Sequence, residues 1–166
     1  SVEAIKRADG GYEAYTDYGR ESTGVDAIDW AAQAVELGAG ELMVTSIDRD
    51  GTGKGFDLEL TQRIAELVPV PVIACGGAGK VSDIYEVIAQ ARADAVSVAS
   101  VLHYNCIKHR ESGGDFSSEG NIEFLRRGRG FSVIQDTTLP EIKRYLMERG
   151  IDCRYETVGQ EAPASG

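Results

Sequence analysis

Three short polar segments carry the residue types that could bind a small anion. Each follows an apolar run, and they are Asp50-Gly-Thr-Gly53, Gly76-Gly-Ala-Gly79 and Ala99-Ser100. Glycine lets the backbone approach a ligand closely, and a helix that begins after such a turn presents free amides and the positive end of its dipole. Each segment alone is a weak signal, but together they predict a site for phosphate or a similar oxyanion.

Strands and helices must bring these segments together. The apolar run 42–44 predicts a buried parallel strand, and Asp57 is placed to cap the helix after the loop. Further strands are predicted at 1–5, 69–75 and 95–98, a helix from about 22 to 37, and one arm of a hairpin at 12–16. Four strands alternating with four helices predict a parallel α/β fold, either a small doubly wound sheet or a (β/α)4 half of an eight-stranded barrel. Parallel strands would direct all three loops to one face.

Domain bounds follow from where the periodicity stops. A single domain is predicted for 1–156, with an inserted loop region at 105–137 that is polar and rich in Gly and Ser. A final helix is predicted from a cap at Thr138 to Gly150. The small, polar residues of 157–166 predict a disordered tail.

Composition excludes several classes of function. The 166-residue chain has a net charge of −10, which argues against a nucleic-acid partner. It contains no apolar run of the roughly 18 residues that a membrane span needs and no signal-peptide layout, so no membrane partner is expected. Its three cysteines are widely spaced, which favours a reducing, cytoplasmic setting over disulfides or a zinc site. Neither a metal nor a cofactor is expected.

The motif set resembles the cyclase subunit of imidazole glycerol phosphate synthase. The matching residues keep the order and near-constant spacing of that family's C-terminal half, over about 3–104 and again 138–154. They include Thr23-Gly24, Glu36-Leu-Gly-Ala-Gly-Glu41, Thr45-Ser-Ile-Asp-Arg-Asp-Gly-Thr52, Gly76-Gly-Ala-Gly79 and Ala99-Ser-Val101. The resemblance implies a (β/α)8 barrel. It also implies a lyase-type cyclase of histidine biosynthesis, which joins ammonia from a glutaminase partner to a ribulosyl aminoimidazole-carboxamide nucleotide and closes the imidazole ring.

The same resemblance implies roles for individual residues. One phosphate of the substrate would be bound by Asp50, Gly51, Gly77, Ala99 and Ser100. Thr45 would line the pocket, and Glu41 would match a charged residue of the gate through which ammonia enters.

The catalytic carboxylate is the point of departure from the family. The first catalytic Asp and the second phosphate site belong to an N-terminal half that this sequence does not contain. The second catalytic Asp, on the fifth strand, aligns with Ala4. Glu3 is adjacent, but neighbouring residues of a strand point to opposite faces, so it could serve only through a one-residue slip or bulge. The identity of the catalytic residue therefore stays open.

Three functions fit the sequence. The first is the C-terminal half of such a cyclase, inactive in isolation, and the second is a phosphate-binding assembly module without catalysis. The third is a relative that uses ammonia transfer on another substrate, such as a surface-polysaccharide sugar. A half barrel would leave its first and fourth strands as unpaired edges and its inner face bare, which predicts a homodimer that closes an eight-stranded barrel.

Overall fold

One six-stranded sheet forms the centre of the molecule. A computed structural model describes residues 1–109 and 134–154. The sheet has the order β3-β2-β1-β4-β5-β6, and its strands are β1 (Val2–Lys6), β2 (Tyr12–Thr16), β3 (Glu21–Asp26), β4 (Leu42–Ser46), β5 (Val72–Cys75) and β6 (Ala95–Ser97). The helices of the described ranges are α1 (Ala27–Glu36), α2 (Leu58–Leu67), α3 (Val81–Ala91), α4 (Ser100–His109) and α5 (Leu139–Met147).

The predicted α/β fold is confirmed. Strands β1, β4, β5 and β6 pair in parallel, and each is the next neighbour of the one before it. A doubly wound sheet reverses its strand order at a switch point and carries helices on both faces. Here the order does not reverse, which favours the half-barrel arrangement over a doubly wound sheet.

The helices cover one face of the sheet, because every second strand residue is apolar and buried. Alternate residues of β1 and β4, such as Ala4 and Val44, share a core cluster with Ala31 of α1 and Ile64 of α2. A second cluster joins Ala74 of β5 to α3 and α5. The intervening residues of β4 and β5 point away from these helices and are only half-buried. We call this second side of the sheet the open face.

The predicted start of the first helix at about residue 22 is wrong. Residues Glu21–Asp26 form β3, and the helix begins only at Ala27. Cross-strand bonds decide this, since the Thr23 hydroxyl donates to the Ala14 carbonyl at 2.6 Å. The true cap is Asp26, whose carboxylate accepts from the Ile28 amide at 2.9 Å.

The same hairpin corrects a second expectation. The sequence predicted that the first strand would be an unpaired edge, but β2 lies antiparallel along β1, with Ala4 opposite Ala14 and Lys6 opposite Tyr12. Strand β2 therefore occupies this edge of β1 from Glu3 to Lys6. The edge of β6 carries no further strand within the described ranges.

Other element bounds agree with the sequence or refine it. Asp57 caps α2, and Thr138 with Glu141 forms a capping box at α5, as predicted. Helix α4 continues to His109, within the first residues of the predicted inserted region 105–137. The rest of that region up to 133, and the predicted tail, fall outside the described residues. Among the helices described, none is long and apolar enough to span a membrane.

Candidate functional site

Two of the predicted loops pack backbone against backbone. The Gly55 amide donates to the Gly77 carbonyl at 2.8 Å. A Cβ on Gly76 would lie 2.7 Å from the Ser46 carbonyl oxygen, and one on Gly79 would collide with the Gly53 carbonyl. The loop after β4 and the loop after β5 therefore form one continuous surface above the strand ends, and only glycine allows it.

Backbone amides on this surface are available to a ligand. Gly51 and Gly77 adopt φ of +70° and +107°. Within the described ranges their amides, and that of Ser100, donate to no protein acceptor. The Asp50 amide is already used, since it donates to the Ser46 carbonyl at 3.0 Å. An oxyanion is the natural partner for amides left unpaired in this way.

The third predicted segment begins α4. The Ala99 carbonyl accepts from the amides of Leu102 and His103, so Ser100 occupies the first turn of the helix. Val101 is fully buried, and its carbonyl accepts from the Thr137 amide at 3.0 Å. This anchoring fixes the amino end of α4, where a negative charge is favoured by the helix dipole.

Below the loops, four polar residues form a row across the open face. Register places Glu3 beside Thr45, Thr45 beside Cys75 and Cys75 beside Ser97. We call these four residues the polar row. The next layer down in the three later strands is apolar and holds Met43, Ile73 and Ala95. The predicted pocket residue Thr45 thus lies directly beneath the candidate anion site.

The two candidate positions on β1 face opposite ways. Ala4 is fully buried in the helix-side cluster. Glu3 points to the open face with Thr45. The position that aligns with the family's Asp therefore does not face the candidate site, whereas the neighbouring carboxylate does.

A polar network that the sequence did not reveal supports the β4–α2 loop from outside. The Tyr12 hydroxyl donates to Asp57 Oδ1 at 3.0 Å, and the same oxygen accepts from the Leu60 amide at 3.0 Å. Burial, together with the Asp57 charge, raises the pKa of Tyr12 well above its usual value. The Lys6 amide donates to Asp48 Oδ2 at 2.7 Å, which ties this end of β1 to the loop. These partners are about 40 residues or more apart, so no local signal pointed to them.

The remaining predicted residues are placed as follows. Glu41 is exposed just before β4, at the opposite end of the sheet from the loops. A cavity of about 880 Å³ lies on the outer side of the β4–α2 loop, lined among others by Arg49, Lys54 and Asp83, and it contains none of the predicted phosphate residues. In the part of the chain that is described, no group of three or more acidic, His or Cys side chains could hold a metal ion.

Comparison with known proteins gives consistent matches. A family model described as "Histidine biosynthesis protein" matches residues 1–108. The "Imidazole glycerol phosphate synthase subunit HisF" of Alkaliphilus metalliredigens is 54% identical over 102 residues, which cover 61% of this chain and 40% of that protein. The protein of the same name from Pyrobaculum aerophilum is 43% identical over 143 residues, 86% of this chain and 44% of the relative. The chain thus spans less than half the length of these curated relatives.

Proposed function

The chain belongs to the histidine biosynthesis protein family, and we propose that it supplies the C-terminal portion of an imidazole glycerol phosphate cyclase. In this role it binds one phosphate of a two-phosphate nucleotide through Gly51, Gly77 and Ser100, with Asp50 and Ala99 beside them. The observation that carries the proposal is the set of unpaired amides at the loop positions that the resemblance assigns to phosphate.

Ammonia chemistry follows from the same assignment. The two relatives are named as subunits of imidazole glycerol phosphate synthase. We propose a glutaminase partner that docks at the end of the sheet where Glu41 is exposed, opposite the phosphate loops. Ammonia would then move along the open face, past Met43 and Ile73, to the polar row, where Thr45 lines the pocket.

The open face requires a second half. Its apolar layer of Met43 and Ile73 is only half-buried, and Ala95 is exposed at the short edge strand β6. A bare apolar face beside a free strand edge favours association with another sheet. We propose that a second copy of the chain covers this face as a two-fold dimer, in which the β2–β3 hairpin keeps its place beside β1. Light scattering should then give twice the 17.8 kDa chain mass, and a stable monomer at micromolar concentration would contradict the dimer.

The functional test is ammonia-dependent turnover of the nucleotide substrate. We expect no turnover by the chain alone, because the second phosphate site and the other catalytic Asp are missing. Addition of the N-terminal half of the Alkaliphilus relative should produce turnover, and Gly77→Ala in this chain should abolish it. The matched control is Gly40→Ala, since Gly40 has no atom within 4 Å of an added Cβ and no positive φ. Phosphate binding without turnover in the completed protein would favour the assembly module instead.

A further inference from the structure

We propose that Glu3 is the proton-transferring carboxylate of this site. The inference rests on the proposed function and assigns the role that sequence alignment leaves at Ala4. It rests on three observations, namely the face that Glu3 occupies, an unpaired carboxylate oxygen, and the distance from Glu3 to the phosphate loops.

The first observation is the face of the sheet on which Glu3 lies. The burial pattern of β1 alternates so that Val2 and Ala4 lie under the helices while Glu3 lies on the open face. The pairing of Glu3 with Thr45 is regular and parallel, with Val2 opposite Val44 and Ala4 opposite Ser46 on either side of it. No bulge is therefore needed for Glu3 to face the site.

The second observation concerns the carboxylate itself. Glu3 Oε2 is buried and accepts no hydrogen bond from the described residues. A buried carboxylate oxygen without a donor costs free energy, and folded proteins normally satisfy such an atom. The Glu3 carboxylate on the open face therefore keeps hydrogen-bonding capacity that no protein donor uses, and a substrate N–H, O–H or C–H group can take it up.

The third observation is the distance from Glu3 to the loop that follows β5. Adjacent strands lie about 4.8 Å apart, so Glu3 is roughly 10 Å from Cys75 along the polar row. Gly76 and Gly77 follow Cys75 directly. A sugar phosphate held by its phosphate at Gly77 would extend over Thr45 and bring its far carbons to the Glu3 carboxylate. Inorganic phosphate is too short to do so.

The chemistry that this placement allows is reversible proton transfer. The ionised Glu3 takes a proton from a substrate N–H or C–H, and the bonding electron pair stays on the substrate. The resulting carboxylic acid returns that proton to the oxygen that leaves as water when the ring closes. Nothing is oxidised or reduced in either step.

Ala4 does not offer the same chemistry. It is fully buried beside Ser46, whose hydroxyl is buried and has no partner among the described residues. An Asp at this position would place a charge in the helix-side core, where a carboxylate without a charged partner is strongly unfavourable. Ala4→Asp is therefore expected to lower the denaturation midpoint and to leave Glu3 as the acid–base group.

Ligand titration of the full chain tests the assignment directly. The chain is labelled with ¹⁵N and with ¹³C-carboxyl glutamate, and the Glu3 carbon is assigned from its loss in Glu3→Gln. Ribulose 5-phosphate should shift both the amides of Gly51 and Gly77 and the Glu3 carboxyl carbon. Inorganic phosphate should shift the amides while moving the Glu3 carbon several-fold less. The carboxyl carbon of exposed Glu36, at the end of α1, is the internal control and should not move.

The outcomes separate the two claims. If neither ligand moves the loop amides, the proposed phosphate site fails, and the Glu3 assignment fails with it. If ribulose 5-phosphate moves the amides and leaves the Glu3 carbon unchanged, only the Glu3 assignment is overturned. In the protein completed with the N-terminal half of the relative, Glu3→Gln should lower kcat about 10²–10⁴-fold and Glu36→Gln should not. Normal kcat in Glu3→Gln, or rescue of that variant by Ala4→Asp, would also overturn it.

Discussion

Removal of the Asp57 carboxylate tests how the β4–α2 loop is held. Asp57 Oδ1 accepts two bonds, from the Leu60 amide and the Tyr12 hydroxyl, each at 3.0 Å. Asp57→Ala removes the helix cap, which costs about 0.5–2 kcal/mol. It also leaves the Tyr12 hydroxyl without its acceptor in a fully buried side chain, which costs about 1–3 kcal/mol. We expect the free energy of unfolding to fall by about 2–4 kcal/mol.

A double-mutant cycle with Tyr12→Phe separates the two contributions. The Phe variant removes the donor while Asp57 keeps its bond to the Leu60 amide, so it should cost about 1–2 kcal/mol. In the double variant no hydroxyl is left unpaired, and the total should be smaller than the sum of the single effects by about 1–2 kcal/mol. Urea unfolding followed by circular dichroism measures all four proteins.

The control is Asp29→Ala, an exposed acidic residue in the first turn of α1, which should cost less than about 1 kcal/mol. If Asp57→Ala cost no more than this control, the cap and the buried bond would not stabilise the fold as described. Strict additivity in the cycle would show that Tyr12 and Asp57 do not interact.

Three further predictions follow from single contacts. Gly77→Ala should lower the free energy of unfolding by about 2–5 kcal/mol, because the φ of Gly77 is +107° and the new Cβ would collide with the Gly55 carbonyl. Gly40→Ala should be tolerated, and thermal unfolding compares the two variants. Burial and the Asp57 charge raise the pKa of Tyr12, so the contribution of the Tyr12 hydroxyl to the free energy of unfolding is complete below about pH 10 and declines above it. When unfolding is measured from pH 9 to 11, the Tyr12→Phe variant should show less of this decline. The Thr138 amide and hydroxyl hold the pKa of Glu141 below its usual 4.5. The contribution of the Glu141 carboxylate to the free energy of unfolding is therefore present above about pH 4.5 and lost as the pH falls further. In the same assay, Glu141→Gln should lose less stability than the parent chain as the pH is lowered.

Local chemistry made the helix ends and glycine turns predictable. Asp57 and Thr138 each cap a helix by accepting a hydrogen bond from an amide three residues further along the chain. Because these contacts are local, the sequence alone predicts them. The same local reasoning gave a wrong helix start at Thr23-Gly24. A hydroxyl before an apolar stretch is typical of a helix cap, but the Thr23 hydroxyl bonds across a hairpin to the Ala14 carbonyl. The bond from Tyr12 to Asp57 joins residues 45 positions apart, and only the folded chain brings them together.

The face on which Glu3 lies was unpredictable for a related reason. A one-residue shift in the placement of a strand moves every side chain to the other face. Alignment of the residues before Lys6 gave Ala4 as the family position, while the pairing of β1 with β4 turns Glu3 towards Thr45. Register depends on contacts between distant segments and therefore required the structure.

The fold also explains why a chain of this length can carry part of a site. Sequential parallel strands place the loops after β4, β5 and β6 at one edge. The three loops that are proposed to bind one phosphate thus all lie within this chain. Binding and turnover should therefore separate, with binding retained by the chain alone.

Phosphate titration followed by ¹H–¹⁵N correlation spectra shows whether the chain alone binds an anion at these loops. We expect saturable shifts of the Gly51, Gly77 and Ser100 amides at a common dissociation constant, with the Gly40 amide unmoved. Shifts confined to the cavity around Arg49 and Lys54, or three loop amides that saturate at different concentrations, would contradict a single site above the strand ends.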